Sequence, residues 1–308
     1  MNHQEEISGA QAWQLAIRPK TLPAAVGPVL VGAALAVADD LFQLLPVLAS
    51  LTAAILLQIA SNLANDYFDF VRGLDQADRK GPTRVASSGL IPLSELRLGL
   101  ILVLLITALI GLYLIAIGGW PILVVGVAGI ISSVAYSAGP FPLASHGLGD
   151  LFVFTFFGLA AVIGTYYVQA LTVTPVVVAA AIPPGALITA ILVVNNLRDM
   201  QTDARVGKRT LAVRLGVEGT HGEYTLLLAV AYLVPVLLSI VDLLHGRPAL
   251  MASLLLLPWL SLPMAARLRQ TVVSTTDGPA LNKALAGTAR LSLVFCVLFS
   301  LGMLLSAL

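Results

Sequence analysis

The sequence predicts an all-α membrane protein, a bundle of nine transmembrane helices with its polar loops on the cytoplasmic side. Three observations lead there. Apolar residues make up 58% of the 308-residue chain and charged residues 11%, with a mean hydropathy of +0.94. A soluble domain is about half apolar and about a quarter charged. Nine stretches approach or exceed the roughly 20 apolar residues that a spanning helix needs. With nine spans, all 17 basic residues except Arg247 fall on the side of the N-terminus, which the positive-inside rule makes cytoplasmic.

The nine stretches are 21–39, 43–64, 95–117, 119–137, 149–170, 174–196, 223–243, 248–266 and 288–308. Arg18 and Lys20 stand before the first, where Pro19 and Pro23 shape the start of the helix. The fourth is the most cramped, because Gly118, Gly119 and Pro121 leave little room for the turn before it. No alternation suggests a barrel, and open backbone cannot lie in lipid. The first twenty residues lack an uninterrupted apolar core and a small-residue cleavage pattern, so no cleaved signal peptide is expected. The single cysteine, Cys296, lies in an apolar run and reads as a small buried hydrophobe. Residues 1–308 are expected to form one transmembrane domain, and nothing in the charge pattern implies nucleic acid.

The long polar loops, 65–94, 138–148, 197–222 and 267–287, all lie on the cytoplasmic side of this scheme. Two of them begin in acid-rich helix ends. The second stretch runs into NLANDYFD, where Asn62, Asp66 and Asp69 share one helical face, and the sixth into NNLRDMQTD, where Asn195, Asp199 and Asp203 do so. Each is followed by a basic, glycine-containing stretch, and four helices separate the two. The pattern reads as a degenerate internal repeat whose ends emerge on the same side.

Ionisable residues at membrane depth are costly and face a bundle interior or a water-filled cavity. Two sets of oxygen ligands backed by cations suit Mg²⁺ held jointly by protein and a substrate phosphate. Lys208 and Arg84 are placed to neutralise phosphate oxygens, so a diphosphate leaving group would be stabilised as its charge develops. The plainer reading is that these acids solvate helix ends. The segment GKRT at 207–210 is not a phosphate-binding P-loop, because Arg209 follows the lysine and Thr202 stands where the first glycine belongs. A secondary transporter also has repeats and intramembrane acids, but its site lies near the midplane on broken helices.

Other residues carry weaker signals. Tyr136 reads as an interface aromatic whose ring could stack on an aromatic substrate or a carbocation. His146 and Asp150, four apart, read as a hydrogen-bonding pair at a helix start rather than a metal site. Asn65 and Asn196 point about 100° away from the chosen acid faces and are expected to support the helix ends.

These motifs together resemble the UbiA-type intramembrane aromatic prenyltransferases, and within them the branch that prenylates 1,4-dihydroxy-2-naphthoate in menaquinone biosynthesis. The stretches that carry the resemblance are WQLAIRPKTLPAAVGPVLVG (13–32), NLANDYFDFVRGLD (62–75), DRKGPTRV (78–85), YSAGPFPLASHGLGDLFVF (136–154) and NNLRDMQTDARVGKRTLAVRLG (195–216). The resemblance implies a nine-helix bundle, Mg²⁺, a polyprenyl diphosphate and the naphthoate as substrates, and the lipid bilayer as setting. It implies that Asn62 and Asp66 in the first motif, and Asp199 and Asp203 in the second, bind Mg²⁺ and diphosphate, with Lys208 beside the diphosphate. Catalytic roles are therefore expected for Asp66, Asp199 and Lys208, with Asn195, Arg84 and Tyr136 as diphosphate or ring contacts from their chemistry. Arg18 reads first as a positive-inside anchor, and the resemblance adds a hold on the naphthoate carboxylate. Phe70 occupies the place where the broad family often has its next aspartate, leaving Asp69 or Asp75 to complete the first motif. A sister enzyme acting on 4-hydroxybenzoate is the nearest alternative.

Overall fold

The computed structural model describes residues 7–74, 81 and 84–307. Asp75 and the basic pair Arg79 and Lys80 lie outside the described residues. The rest folds as α1 (Gly9–Ile17), α2 (Pro23–Ala38), α3 (Leu44–Val71), α4 (Leu93–Gly118), α5 (Trp120–Ala135), α6 (Gly149–Ala170), α7 (Pro175–Arg205), α8 (Leu211–Leu244), α9 (Ala249–Ser274) and α10 (Gly278–Ala307), with no strand among the described residues.

Every apolar stretch in the sequence carries a helix, but not every helix is long enough to cross alone. Among the described residues seven are long and apolar enough, α3, α4 and α6–α10. The pair α1 and α2, joined by the 3-10 turn Pro19–Thr21 and bent by 47°, adds an eighth as a broken span. α5 has 16 residues, about 24 Å at 1.5 Å per residue, against a hydrocarbon core of about 30 Å. Its shortness follows from the sequence: Gly119, at φ 67, ends α4, and Trp120 and Pro121 start the next helix at once.

Burial separates core from rim. In the most apolar window of α7, 72% of residues are buried, against 17% in α4 and 11% in α3. α7 is therefore the central helix, while α4 presents Leu98, Ile101, Leu105, Leu109 and Leu112 outward, a lipid-facing stripe at helical spacing. Small residues let the inner helices approach. Gly158 of α6 lies so close to Gly185 of α7 that any side chain on it would collide with that backbone. At this contact α6 widens into the π-helical segment Val153–Leu159, and α7 carries Pro183 and Pro184. Cys296 is buried and free, packed against Gly27.

Two of these helices outrun their apolar stretches. α3 has 28 residues and α7 has 31, so their last turns stand beyond residues 64 and 196 and carry the acids. At the other end, Tyr166 donates to Asp39 at 2.5 Å and Gln43 N donates to Gln169 at 2.6 Å. These bonds tie the α2–α3 turn to the end of α6. α8 is interrupted at Gly216, whose φ of 69° suits glycine alone.

Candidate active site

The last turns of α3 and α7 meet in one polar pocket, a cleft of convergent polar groups of the kind that binds ligands. α3 contributes Asn65 and Asp69, and α7 contributes Asn195, Asn196, Asp199 and Asp203. Arg84, Tyr136 and Lys208 enter from the connecting loops. The two motifs thus share one end of the bundle and one cavity.

Local structure explains how Lys208 gets there. Gly207, at φ 80, closes α7 in a left-handed turn, and Lys208 N donates to Asp203 O at 2.9 Å. The chain folds back over the helix end, and Lys208 Nζ reaches Asp69 Oδ2 at 3.0 Å, 139 residues away in sequence. Arg84 donates to the same oxygen at 3.1 Å and to Asn65 Oδ1. On the opposite wall, Arg198 holds both oxygens of Asp199, at 2.8 and 2.6 Å, and also donates to Asn195 and Asn282. Asp69, Arg84, Asp199 and Arg198 are all buried, where an unpaired charge would be costly. The pairing gives each carboxylate a cationic partner beside open space.

Tyr136 lies one residue beyond the end of α5. Burial, with Asp150, Asp203 and Asp69 nearby, pushes its phenol well above the usual range. It stays protonated, and the residue lines the pocket.

The first motif differs from the sequence expectation. Asn62 is buried below the pocket and donates to Ile17 O at 2.9 Å and Thr21 Oγ1 at 3.2 Å, bracing the break between α1 and α2. Asp66 is fully buried and accepts from Val85 N at 3.2 Å and Ala86 N at 3.4 Å. Neither residue lines the pocket. Both hold backbone, and Asp66 thereby fixes the loop that presents Arg84. The pocket-facing pair is Asn65 and Asp69, one helical step round. The sequence carried a signal for it: Asn65-x-x-x-Asp69 has the same spacing as Asn195-x-x-x-Asp199. Asn65 and Asn196, expected to face away, line the cavity.

The other expected residues divide. Asp69, Arg84, Tyr136, Asn195, Asp199, Asp203 and Lys208 are brought together. Arg18 sits at the α1–α2 break at φ 55, outside the pocket lining. His146 bonds to Pro142 O at 2.8 Å and stacks on Phe141, so it does not pair with Asp150. Sequence reasoning gave Arg198 no role, although it is the bidentate partner of Asp199.

The profile of the UbiA prenyltransferase family matches residues 25–278. The chain belongs to this family. Among curated UbiA-type relatives, 1,4-dihydroxy-2-naphthoate octaprenyltransferase of Escherichia coli K12 is 38% identical over 98% of both chains. The enzyme of the same name from Mycobacterium tuberculosis H37Rv is 42% identical over 71% of this chain and 75% of its own. A solved UbiA homolog from Archaeoglobus fulgidus, bound to GPP and Mg²⁺, has the same fold, with a TM-score of 0.64 at 15% identity over 94% of this chain and 99% of that one. The protein is thus an integral membrane prenyltransferase of the UbiA family.

The pocket suits a divalent cation shared with a ligand. Among the described residues no three His, Cys, Asp or Glu side chains form a cage of their own. Mg²⁺ is usually held by one or two carboxylates together with substrate phosphates and water. Asp69 and the α7 pair Asp199 and Asp203, with the amide oxygens of Asn65 and Asn195, supply that oxygen-only donor set.

Proposed function

We propose that this protein transfers a polyprenyl group from polyprenyl diphosphate to 1,4-dihydroxy-2-naphthoate, with loss of the naphthoate carboxylate, giving demethylmenaquinol. The observation that carries the reading is the junction of the two motifs through Lys208 and Asp69 in one cation-backed pocket. The names of the bacterial relatives support the naphthoate as acceptor.

Asn65, Asp69, Asn195, Asp199 and Asp203 would hold the ion, and bound Mg²⁺ would supply charge neutralisation at the diphosphate. The chain's own residues do the rest. Lys208 and Arg84 place positive charge where the diphosphate leaves, easing allylic C–O cleavage. Tyr136 presents a ring that can face the carbocation or the naphthoate. Arg198 keeps Asp199 in a fixed orientation. An apolar groove between α2, α3, α4, α5 and α6, lined by Ala25, Val29, Leu57, Thr107, Phe156 and Phe157, suits an isoprenoid tail, which stays in hydrocarbon while its head reaches the polar pocket.

The finer topology belongs to the same reading. The bent pair and α5 complete nine spans in one domain over residues 1–308, set in the cell membrane. The excess of Lys and Arg on the N-terminal side supports a pocket at the cytoplasmic face. A substrate panel tests the function. Purified protein in lipid should convert the naphthoate, a polyprenyl diphosphate and Mg²⁺ to demethylmenaquinol and diphosphate. Turnover of 4-hydroxybenzoate in its place would move the chain to a sister activity.

A further inference from the structure

Asp150 is buried to 6% exposure, and among the described residues no other residue donates a hydrogen bond to either of its carboxylate oxygens. An acid in the first turn of a helix ordinarily caps backbone N–H groups. The first turn of α6 has no side-chain cap, so that role is not filled. A buried, ionisable group left without partners is costly to keep. What lies beside it is Tyr136: the position a side chain on Gly149 would take is 3.2 Å from the Tyr136 ring and 3.4 Å from its hydroxyl. The Tyr136 hydroxyl end therefore rests on the first turn of α6. The Asp150 carboxylate is close enough to act on it electrostatically without a direct hydrogen bond, and Tyr136 also lines the reaction pocket. The mechanism outlined above uses no group to move the ring proton.

We propose that Asp150 is a positioning residue that accepts the naphthol proton through Tyr136. This inference rests on the naphthoate reading of the same pocket. As the ring carbon bearing the carboxylate attacks the allylic carbon, a C–C bond forms and the C–O bond to diphosphate breaks. The proton of the adjacent hydroxyl passes to the Tyr136 oxygen, and Tyr136 passes its own proton to Asp150. The ring is now a ketone with a carboxylate on the next carbon, a β-keto acid. It loses CO₂, the bonding pair moves to the ketone oxygen, and the proton returns from Asp150 through Tyr136. No net proton, oxidant or reductant is consumed. Such contacts are often long before substrate binds and tighten in the complex.

The test separates ring chemistry from diphosphate chemistry. In purified Asp150→Asn, prenylated product should fall about 100-fold, the lower end of a general-base contribution. Binding of geranyl diphosphate with Mg²⁺ should stay within about threefold of wild type, with slow diphosphate release without product. Tyr136→Phe should show the same uncoupling, and the double variant should lose no more than either single one. Asp150→Glu should recover part of the coupling. Product formation by Asp150→Asn within about threefold of wild type would overturn the inference. So would joint loss of product and diphosphate binding, which would make Asp150 a support of the fold. Absence of prenylated naphthoate from wild type itself would sink the naphthoate reading instead, and the relay with it.

Discussion

Lys208 Nζ and Asp69 Oδ2 lie 3.0 Å apart, and this contact joins the end of α3 to the loop after α7 across 139 residues. It brings a partly exposed cation and a buried carboxylate to one spot beside open pocket. The pair is asymmetric: Asp69 keeps Arg84 when Lys208 leaves, so Lys208 can turn to an incoming phosphate without stranding a buried charge.

Replacing Lys208 therefore affects catalysis more than folding. Lys208→Met should lower kcat/KM for the prenyl diphosphate by about 10- to 100-fold, the loss of one charge-assisted contact of about 1.5–3 kcal/mol. The thermal midpoint should shift by no more than a few degrees. Steady-state kinetics and a melting curve in detergent check both.

Asn62 and Asn65 should separate cleanly. Asn65→Ala removes a pocket oxygen that also accepts from Arg84 and should lower turnover per folded molecule sharply. Asn62→Ala removes the brace to Ile17 and Thr21 and should cost about 1–3 kcal/mol of stability, with turnover per folded molecule largely kept. The reverse pattern would restore the sequence-based assignment.

Asp66→Ala should act at a distance. Losing the acceptor for Val85 N and Ala86 N frees the loop that carries Arg84, so KM for the prenyl diphosphate should rise and the melting temperature fall. Asp69→Ala, which removes a pocket carboxylate and the acceptor of both Arg84 and Lys208, should lose binding of the prenyl diphosphate and turnover together.

Chelation provides the metal test. Excess EDTA should stop turnover, and Mg²⁺ should restore it fully, because the ion is shared with the substrate rather than caged by protein ligands. Retained turnover in chelator would exclude the shared-ion reading.

Much of this was legible in the chain. The apolar stretches and the same-side acid ends follow from composition and helix counting, and each stretch carries a helix. What the sequence left ambiguous was rotation. NLANDYFD contains two Asn-x-x-x-Asp pairs, Asn62–Asp66 and Asn65–Asp69, and spacing alone cannot say which faces the cavity. Contacts from α1 and the 85–86 backbone decide it, because they occupy Asn62 and Asp66. His146 and Asp150 show the same limit: the four-residue spacing was right for a pair, but Phe141 and Pro142 O claim the histidine. The short α5 was foreshadowed by Gly118, Gly119 and Pro121, whereas the bend before α2 shows only in three dimensions.

The central claim is that the ends of α3 and α7 form one diphosphate site. Calorimetric titration of geranyl diphosphate with Mg²⁺ into wild type, Asp69→Ala and Asp199→Ala tests it most directly. The account predicts a single one-to-one event in wild type and its loss in each variant alone; full binding by either variant, or two independent events in wild type, would contradict it.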